Sequence, residues 1–333
     1  MGALVEKPFF ASREEYVPRF TDAAYWQPYI EAVCARHRLP CQAIRAGLPG
    51  TNPVFVVTGG AGCVVKFFET HLFNGLESWN KERALYGLLA EHPELPAPML
   101  LAEGAFFDDG AWPYLVTTVI PGTSLGEVAD QVTYEDRVTL AGFLGRLLRQ
   151  LHDLPFHDIL VLCRSGDEFS HFLAEQRDRC VTRHQQWKVL PAHLLAQIDG
   201  YLLPDEQLID QRVGLRLTHC DLNQDHVLGD FVVGHWRPNG IIDFGDARVG
   251  DRIYDLIALH MGLFYGDKHL LATFLDAYGL DDGLRTDFVQ RAMNYTLLFE
   301  FNVLEMVQSW GLDQVQTLDE LANRLWAAYT LSA

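Results

Sequence analysis

From Leu215 to Phe244 the chain reads as a tight set of short β-type runs, LRLTHCDL, HVLGDFVVG and GIIDF, set inside a stretch that is otherwise helical in pattern from Tyr134 onward. Such an island constrains the fold more than any other feature. A strand, a loop carrying Asp221 and a further strand closing on Asp243 would direct two carboxylates into one crevice, with His226 five residues beyond the first. Phosphoryl transfer needs that inventory: one carboxylate to orient and deprotonate a hydroxyl, another to hold magnesium against phosphates. Each aspartate taken singly would also serve as a strand-end or turn cap; the joint pattern is what points to chemistry.

The front third has a different texture. Residues from about Arg13 to Arg38 carry Tyr25, Tyr29, Ile30 and Val33 at helical spacing. The β-type runs CQAIRAG, NPVFVVT and CVVKFF follow, separated by glycine-bearing turns, then a helical pattern from Leu76 to about Glu91 that ends before the prolines of HPELPAP. MLLAEGAFF and PYLVTTVI, joined by DDGAW, complete this region. A β-rich front followed by a helical remainder predicts an α+β chain of two lobes, residues 1–120 and 121–333, with a mixed sheet in the smaller.

Composition narrows the class of partner. With 44 acidic against 26 basic residues the formal charge is −18, which repels nucleic-acid phosphates and anionic membranes and favours a cationic small molecule. Six scattered cysteines (34, 41, 63, 163, 180, 220) without a C-x-x-C pair read as free thiols of a reducing compartment. The charged start MGALVEKPFFASREEY lacks a signal-peptide apolar stretch, and Glu6 replaces the Ser or Thr of a myristoylation signal. A cytoplasmic protein is expected.

Lys66 stands inside the apolar run CVVKFF, where a buried ammonium needs an anion. Glu82, on the next helical segment, is the candidate partner; taken singly, Lys66 would equally suit an edge strand facing water and Glu82 a solvated helix face. Lys66, Glu82, His219-x-Asp221, IIDFGDA and GDRIYDL together resemble the aminoglycoside phosphotransferase and choline kinase-like superfamily, and the likeness is nearest to hygromycin-B-type phosphotransferases of antibiotic-producing actinomycetes. It runs from the first helix to LDELANRLW.

The resemblance implies a two-lobed protein-kinase-like fold and an ATP- or GTP-dependent, magnesium-requiring enzyme that phosphorylates a hydroxyl of an aminoglycoside such as hygromycin B. It further implies that Lys66 binds nucleotide phosphates with Glu82 orienting it. Asp221 would be the catalytic base and Asp243 a metal ligand. The loop Gly50-Thr51-Asn52 would lie over the phosphates, and the backbone from Thr118 to Ile120 would meet adenine. Glu300 and Glu305, read as spaced along one late helix, are candidate contacts for substrate amines.

One position departs from the family. His226 stands where most members carry asparagine as second magnesium ligand, although macrolide phosphotransferases are similar in carrying histidine there; imidazole suits softer metals. A kinase of another small alcohol such as a macrolide, and a non-catalytic nucleotide-binding pseudokinase, are therefore the alternatives. Two decoys need naming. Gly122-Thr123-Ser124-Leu125-Gly126 matches a hydrolase nucleophile elbow, but Pro121 and the short helical pattern favour Ser124 as a helix cap. Asp225, His226 and His219 lack the further histidines of a metallohydrolase.

Overall fold

In the first third, short apolar strands separated by tight turns call for a sheet with one face covered by a helix. The computed structural model describes residues 6–48, 50–156, 168–279 and 282–328, without the side chains of 282–286; Cys163 and the first five residues of the start lie outside them. Its sheet has five strands: β1 (Ala43–Ala46), β2 (Val54–Thr58), β3 (Cys63–Phe67), β4 (Leu100–Ala105) and β5 (Pro113–Thr117), in the order β1-β2-β3-β5-β4. Every neighbouring pair is antiparallel, so the sheet is not the mixed one expected. Alternation along a strand reports which face is buried, not the direction of the neighbour.

The helix expected from Arg13 to Arg38 is broken. A helical turn Arg13–Tyr16 and a 3-10 turn Val17–Arg19 precede the helix Ala23–His37, whose Asp22 cap accepts the Tyr25 N–H at 3.0 Å. That helix lays Trp26 on the sheet, where it stacks on Phe67 at 5.0 Å and meets Trp112 edge-on at 5.1 Å. Cys63, Val65 and Phe67 thus share the face of β3 that supplies the core, and Lys66 falls on the other.

Among the described residues the chain resolves into two compact units: one runs to Pro121 and includes Gly240–Gly245, the other holds Gly122–Asn239 and everything from Asp246. The short segment around Asp243, placed by sequence in the second lobe, therefore groups with the first unit. The second unit is mainly helical, with long helices Tyr134–His152, Glu168–Trp187, Lys268–Tyr278 and Asp282–Leu298. Its strands are β6 (Thr123–Ser124), β7 (Arg216–Thr218), β8 (Val227–Val232), β9 (His235–Ile241) and β10 (Arg248–Gly250). β8 and β9 form a hairpin through Val233 and Gly234, both with positive φ. β9 lies at the edge of the β6-β8-β9 sheet, which is how it tolerates Pro238. No described helix is long and apolar enough to cross a membrane.

Candidate active site

In the first unit Lys66 meets Glu82, the expected partner, and also Asp243, which the sequence reading does not pair with it. Lys66 sits on β3 opposite the core face, and its Nζ reaches Glu82 Oε1 at 2.7 Å and Asp243 Oδ1 at 3.0 Å. Burial pulls the ammonium's pKa down, but the carboxylates of Asp243 and Glu82 outweigh it and hold the group above its ordinary value. Glu82 is delivered by the helix Gly75–Leu89. The approach to that helix is tight: Glu69 folds back to accept N–H groups from His71 (2.7 Å), Leu72 and Phe73 (3.0 Å), and a Cβ on Gly75 would collide with the Glu69 carbonyl. One turn beyond Glu82, Tyr86 is buried and meets the Phe244 ring edge-on at 6.0 Å. Burial first, then the Glu82 charge, drives its phenol well above the usual range.

Asp243 carries this arrangement in its backbone. Its φ of 62° is the left-handed region, costly for a residue with a Cβ and typical of functional sites. Gly245 follows, its N–H donating to Asp243 Oδ1 at 3.3 Å. A Cβ there would press within 3.2 Å of Glu82 Oε1 and 3.3 Å of Asp243 Oδ1, so only glycine leaves the charged trio undisturbed.

The remaining first-unit predictions divide. Thr51 is exposed and Asn52 half-buried on the β1–β2 connection, linked only weakly to each other at 3.4 Å. Nothing surrounds a Cβ built on Gly50. At Thr118 the N–H donates to the Met99 carbonyl, and the hydroxyl accepts the Met99 N–H, both at 2.9 Å. The Thr118 N–H is thus engaged at the sheet end; Ile120 is half-buried.

In the second unit the Asp221 loop hangs from a buried carboxylate. Asp255 accepts the His219 N–H at 2.9 Å and the Cys220 N–H at 2.7 Å, while His152 Nε2 lies 2.9 Å from the same group and His152 Nδ1 2.7 Å from Tyr278 Oη. Burial raises the Asp255 pKa, yet the His152 hydrogen bond and neighbouring charges overcome it and hold the carboxyl below its ordinary value. Cys220 takes φ 68° to permit the double contact. The sequence contains this anchor in GDRIYDL without revealing its role; Asp251 of the same motif caps the helix Arg252–Ala258.

Asn223 Nδ2 donates to Asp221 Oδ1 at 3.1 Å. His226 Nδ1 is 2.6 Å from the Asp221 carbonyl. A carbonyl only accepts, so Nδ1 carries the proton and Nε2 the lone pair of the neutral ring. Ser124 is a cap, not a nucleophile: it is buried, and its Oγ accepts the Gly126 N–H at 3.1 Å. The two late glutamates do not share a helix. The long helix ends at Leu298; Glu300 lies in the bend beyond it, ion-paired to Arg248 at 2.9 Å, and Glu305 is exposed on the 3-10 segment Val303–Trp310.

Among the described residues no group of three or more His, Cys, Asp and Glu side chains is placed to hold a metal. The chemistry of the donors still fits magnesium through Asp243, because that ion binds one or two carboxylates and completes its shell with water and phosphate oxygens. An imidazole such as His226 is a poorer match.

Comparison with known proteins gives the fold and the family. The wild-type aminoglycoside 2'-phosphotransferase-IIIa in its GDP complex superposes with a TM-score of 0.62 at 20% identity, covering 89% of this chain and 95% of that one. The macrolide 2'-phosphotransferase MphH of Brachybacterium faecium does so at 0.58 and 19%, covering 89% and 97%. At such identities the likeness is one of fold. The lysine-specific demethylase JMJ21 of Arabidopsis thaliana is 28% identical over 75% of this chain, which spans only 31% of that protein's length. Residues 42–289 match the family model described as the phosphotransferase enzyme family, a stretch well over half the chain. The chain belongs to the APH phosphotransferase enzyme family.

Proposed function

We propose that the chain transfers the terminal phosphoryl group of ATP, or GTP, to a hydroxyl of a small molecule, with residues 1–120 serving the nucleotide and 121–333 the acceptor. The observation that carries the reading is the ion-paired set Lys66, Glu82 and Asp243. Glu82 fixes the ammonium so that it meets phosphate oxygens without reorganising, and Asp221 orients the acceptor hydroxyl and takes its proton. Magnesium bound through Asp243 would neutralise phosphate charge. Thr51 and Asn52 would cover the phosphates, the backbone near Ile120 would hold the base, and His226 would lie beside the metal. Free thiols suit a cytoplasmic setting.

For the acceptor, aminoglycosides such as hygromycin B come first, supported by the fold likeness and the charge of −18. Kanamycin and gentamicin are bound in solved structures of similar fold. A second reading, a kinase of another alcohol, is favoured by the Glu300–Arg248 pair, which removes one of the two carboxylates expected to meet amines. A coupled assay of nucleoside diphosphate release across aminoglycosides, macrolides and simple alcohols, with mass spectrometry of the products, tests both. Nucleotide binding with no phosphorylated product from any acceptor would support the pseudokinase alternative.

A further inference from the structure

The Arg248–Glu300 pair belongs to a cluster in which Arg248 also feels the charge of Asp246. Arg248 lies on β10, in register with Thr218 of β7, and Thr218 Oγ1 donates to the Arg248 carbonyl at 2.8 Å. Three residues past Thr218 comes Asp221. The Arg248 guanidinium packs 4.0 Å from the centre of the Phe172 ring and 5.8 Å from that of Tyr254, with Nη2 2.9 Å from Glu300 Oε1. Arg248 and Glu300 side chains keep 23% and 29% of their surface open to solvent.

A second guanidinium borders the same segment. Arg183, on the helix Glu168–Trp187, reaches the chain two residues before Glu300, its Nη2 lying 3.4 Å from the Leu298 carbonyl. Its hydrogen bonds run to neutral groups, that carbonyl and Gln176 Oε1 at 2.5 Å. Its Nε is buried without a partner among the described residues, and no described carboxylate forms an ion pair with it. Both arginines thus border the Glu300 segment, and Arg248 feels the Asp246 carboxylate as well.

We propose that Arg248 and Arg183 form an anion-reading subsite beside the Asp221 loop, with Glu300 as its resting counter-ion, which narrows the second acceptor reading above, an alcohol other than an aminoglycoside, to a hydroxy compound bearing a carboxylate or phosphate. The assignment of this subsite to the acceptor rests on the phosphotransferase reading of Asp221. A planar guanidinium held by ring stacking is preorganised for two-point binding of either oxyanion. Glu300 occupies the position that a ligand anion would take, and it cannot offer its charge to a substrate amine while it neutralises Arg248. Phosphate or carboxylate displaces it by exchange, with no net loss of ion pairing.

Calorimetric titration of the full chain, saturated with magnesium and a non-hydrolysable ATP analogue, tests this with inorganic phosphate in one arm and citrate in the other. The parent should bind in the millimolar range. Arg248→Met should weaken binding about tenfold or more, the scale of a lost charged hydrogen bond. Arg183→Gln should weaken it less. Glu300→Gln removes the internal competitor and should tighten binding about threefold or more. That gain is something a merely structural Glu300 would not produce, and it judges the idea even where Arg248→Met folds poorly. Preference for citrate over phosphate assigns a carboxylate acceptor, and the reverse assigns a phosphorylated one. No binding in either arm, or weaker binding in Glu300→Gln, overturns the subsite. If the ATP analogue itself fails to bind, the kinase reading falls separately, and the same titrations without it still decide the subsite.

Discussion

The first unit fixes its candidate groups side chain to side chain, whereas the second fixes its loop through the backbone. Lys66 is held between two carboxylates, one buried and one 43% open to water. The Asp221 loop is held by two N–H donors bonded to the fully buried Asp255. The difference is one of adjustability. An ion pair with one exposed partner can exchange that partner for a ligand anion, so the Lys66 trio is suited to receive phosphate. A backbone bonded to a buried carboxylate cannot exchange without unfolding locally, so the second unit presents Asp221 in one geometry whatever is bound.

The sharpest way to break this contrast is to cut the anchor. Asp255→Ala leaves the His219 and Cys220 amides and His152 without their buried acceptor, and should destabilise the chain by about 3–5 kcal/mol. Urea unfolding measures it. A parent-like midpoint would mean that the loop is not held from Asp255. Next in size, Asp221→Asn should keep the loop and the nucleotide affinity while lowering turnover by about two orders of magnitude or more. Asp243→Ala should instead lose magnesium-dependent nucleotide binding. Equal, small losses at both positions would remove the division of labour between the units.

A smaller effect sharpens the first half of the contrast. Lys66→Ala and Glu82→Gln should each lower kcat/KM, the first more severely, and the double variant should be no worse than Lys66→Ala alone. The coupling should be about 1–3 kcal/mol, as for residues in contact. Strict additivity would show that the 2.7 Å contact does not matter in catalysis.

What could be read from sequence follows the same line. Lys66 was legible because charge inside an apolar pattern demands a partner, Glu82 because it follows on the next helical segment, and Asp243 because it closes the strand-loop-strand island that carries Asp221. Ser124 was legible as a cap from the proline before it. Contacts between distant segments were not. The Met99 carbonyl that takes the Thr118 amide, the Arg248 that neutralises Glu300 and the His219 and Cys220 amides that meet Asp255 are all set by tertiary pairing, which local pattern does not encode. Glu300 was placed on a helix by the family resemblance, whereas the helix here ends at Leu298 and the chain bends. Pro238 and the polar residues around it hid the first half of β9, since an edge strand needs no unbroken apolar alternation.

The smallest effect concerns the packing behind the second unit. His260 is fully buried; its Nε2 lies 2.9 Å from the Leu325 carbonyl, so Nε2 carries the proton, and Nδ1 has no partner among the described residues. Burial pulls its pKa down to about 4, only partly opposed by the hydrogen bond and the Asp267 charge. A histidine depressed in the folded state contributes stability that is complete above the unfolded value of about 6.5 and is lost as pH falls towards the folded value. Between pH 7.5 and 5.5 that loss should amount to about 1 kcal/mol, or a drop in Tm of about 1–2 °C for a chain of this size. His260→Gln keeps a donor for the Leu325 carbonyl but cannot titrate, so its Tm should start lower and change less over the same interval. Thermal melts at closely spaced pH values measure the two slopes. If the variant and the parent fall in parallel, acid sensitivity originates elsewhere, and the buried backbone anchors of the second unit tolerate protonation of the histidine packed behind them.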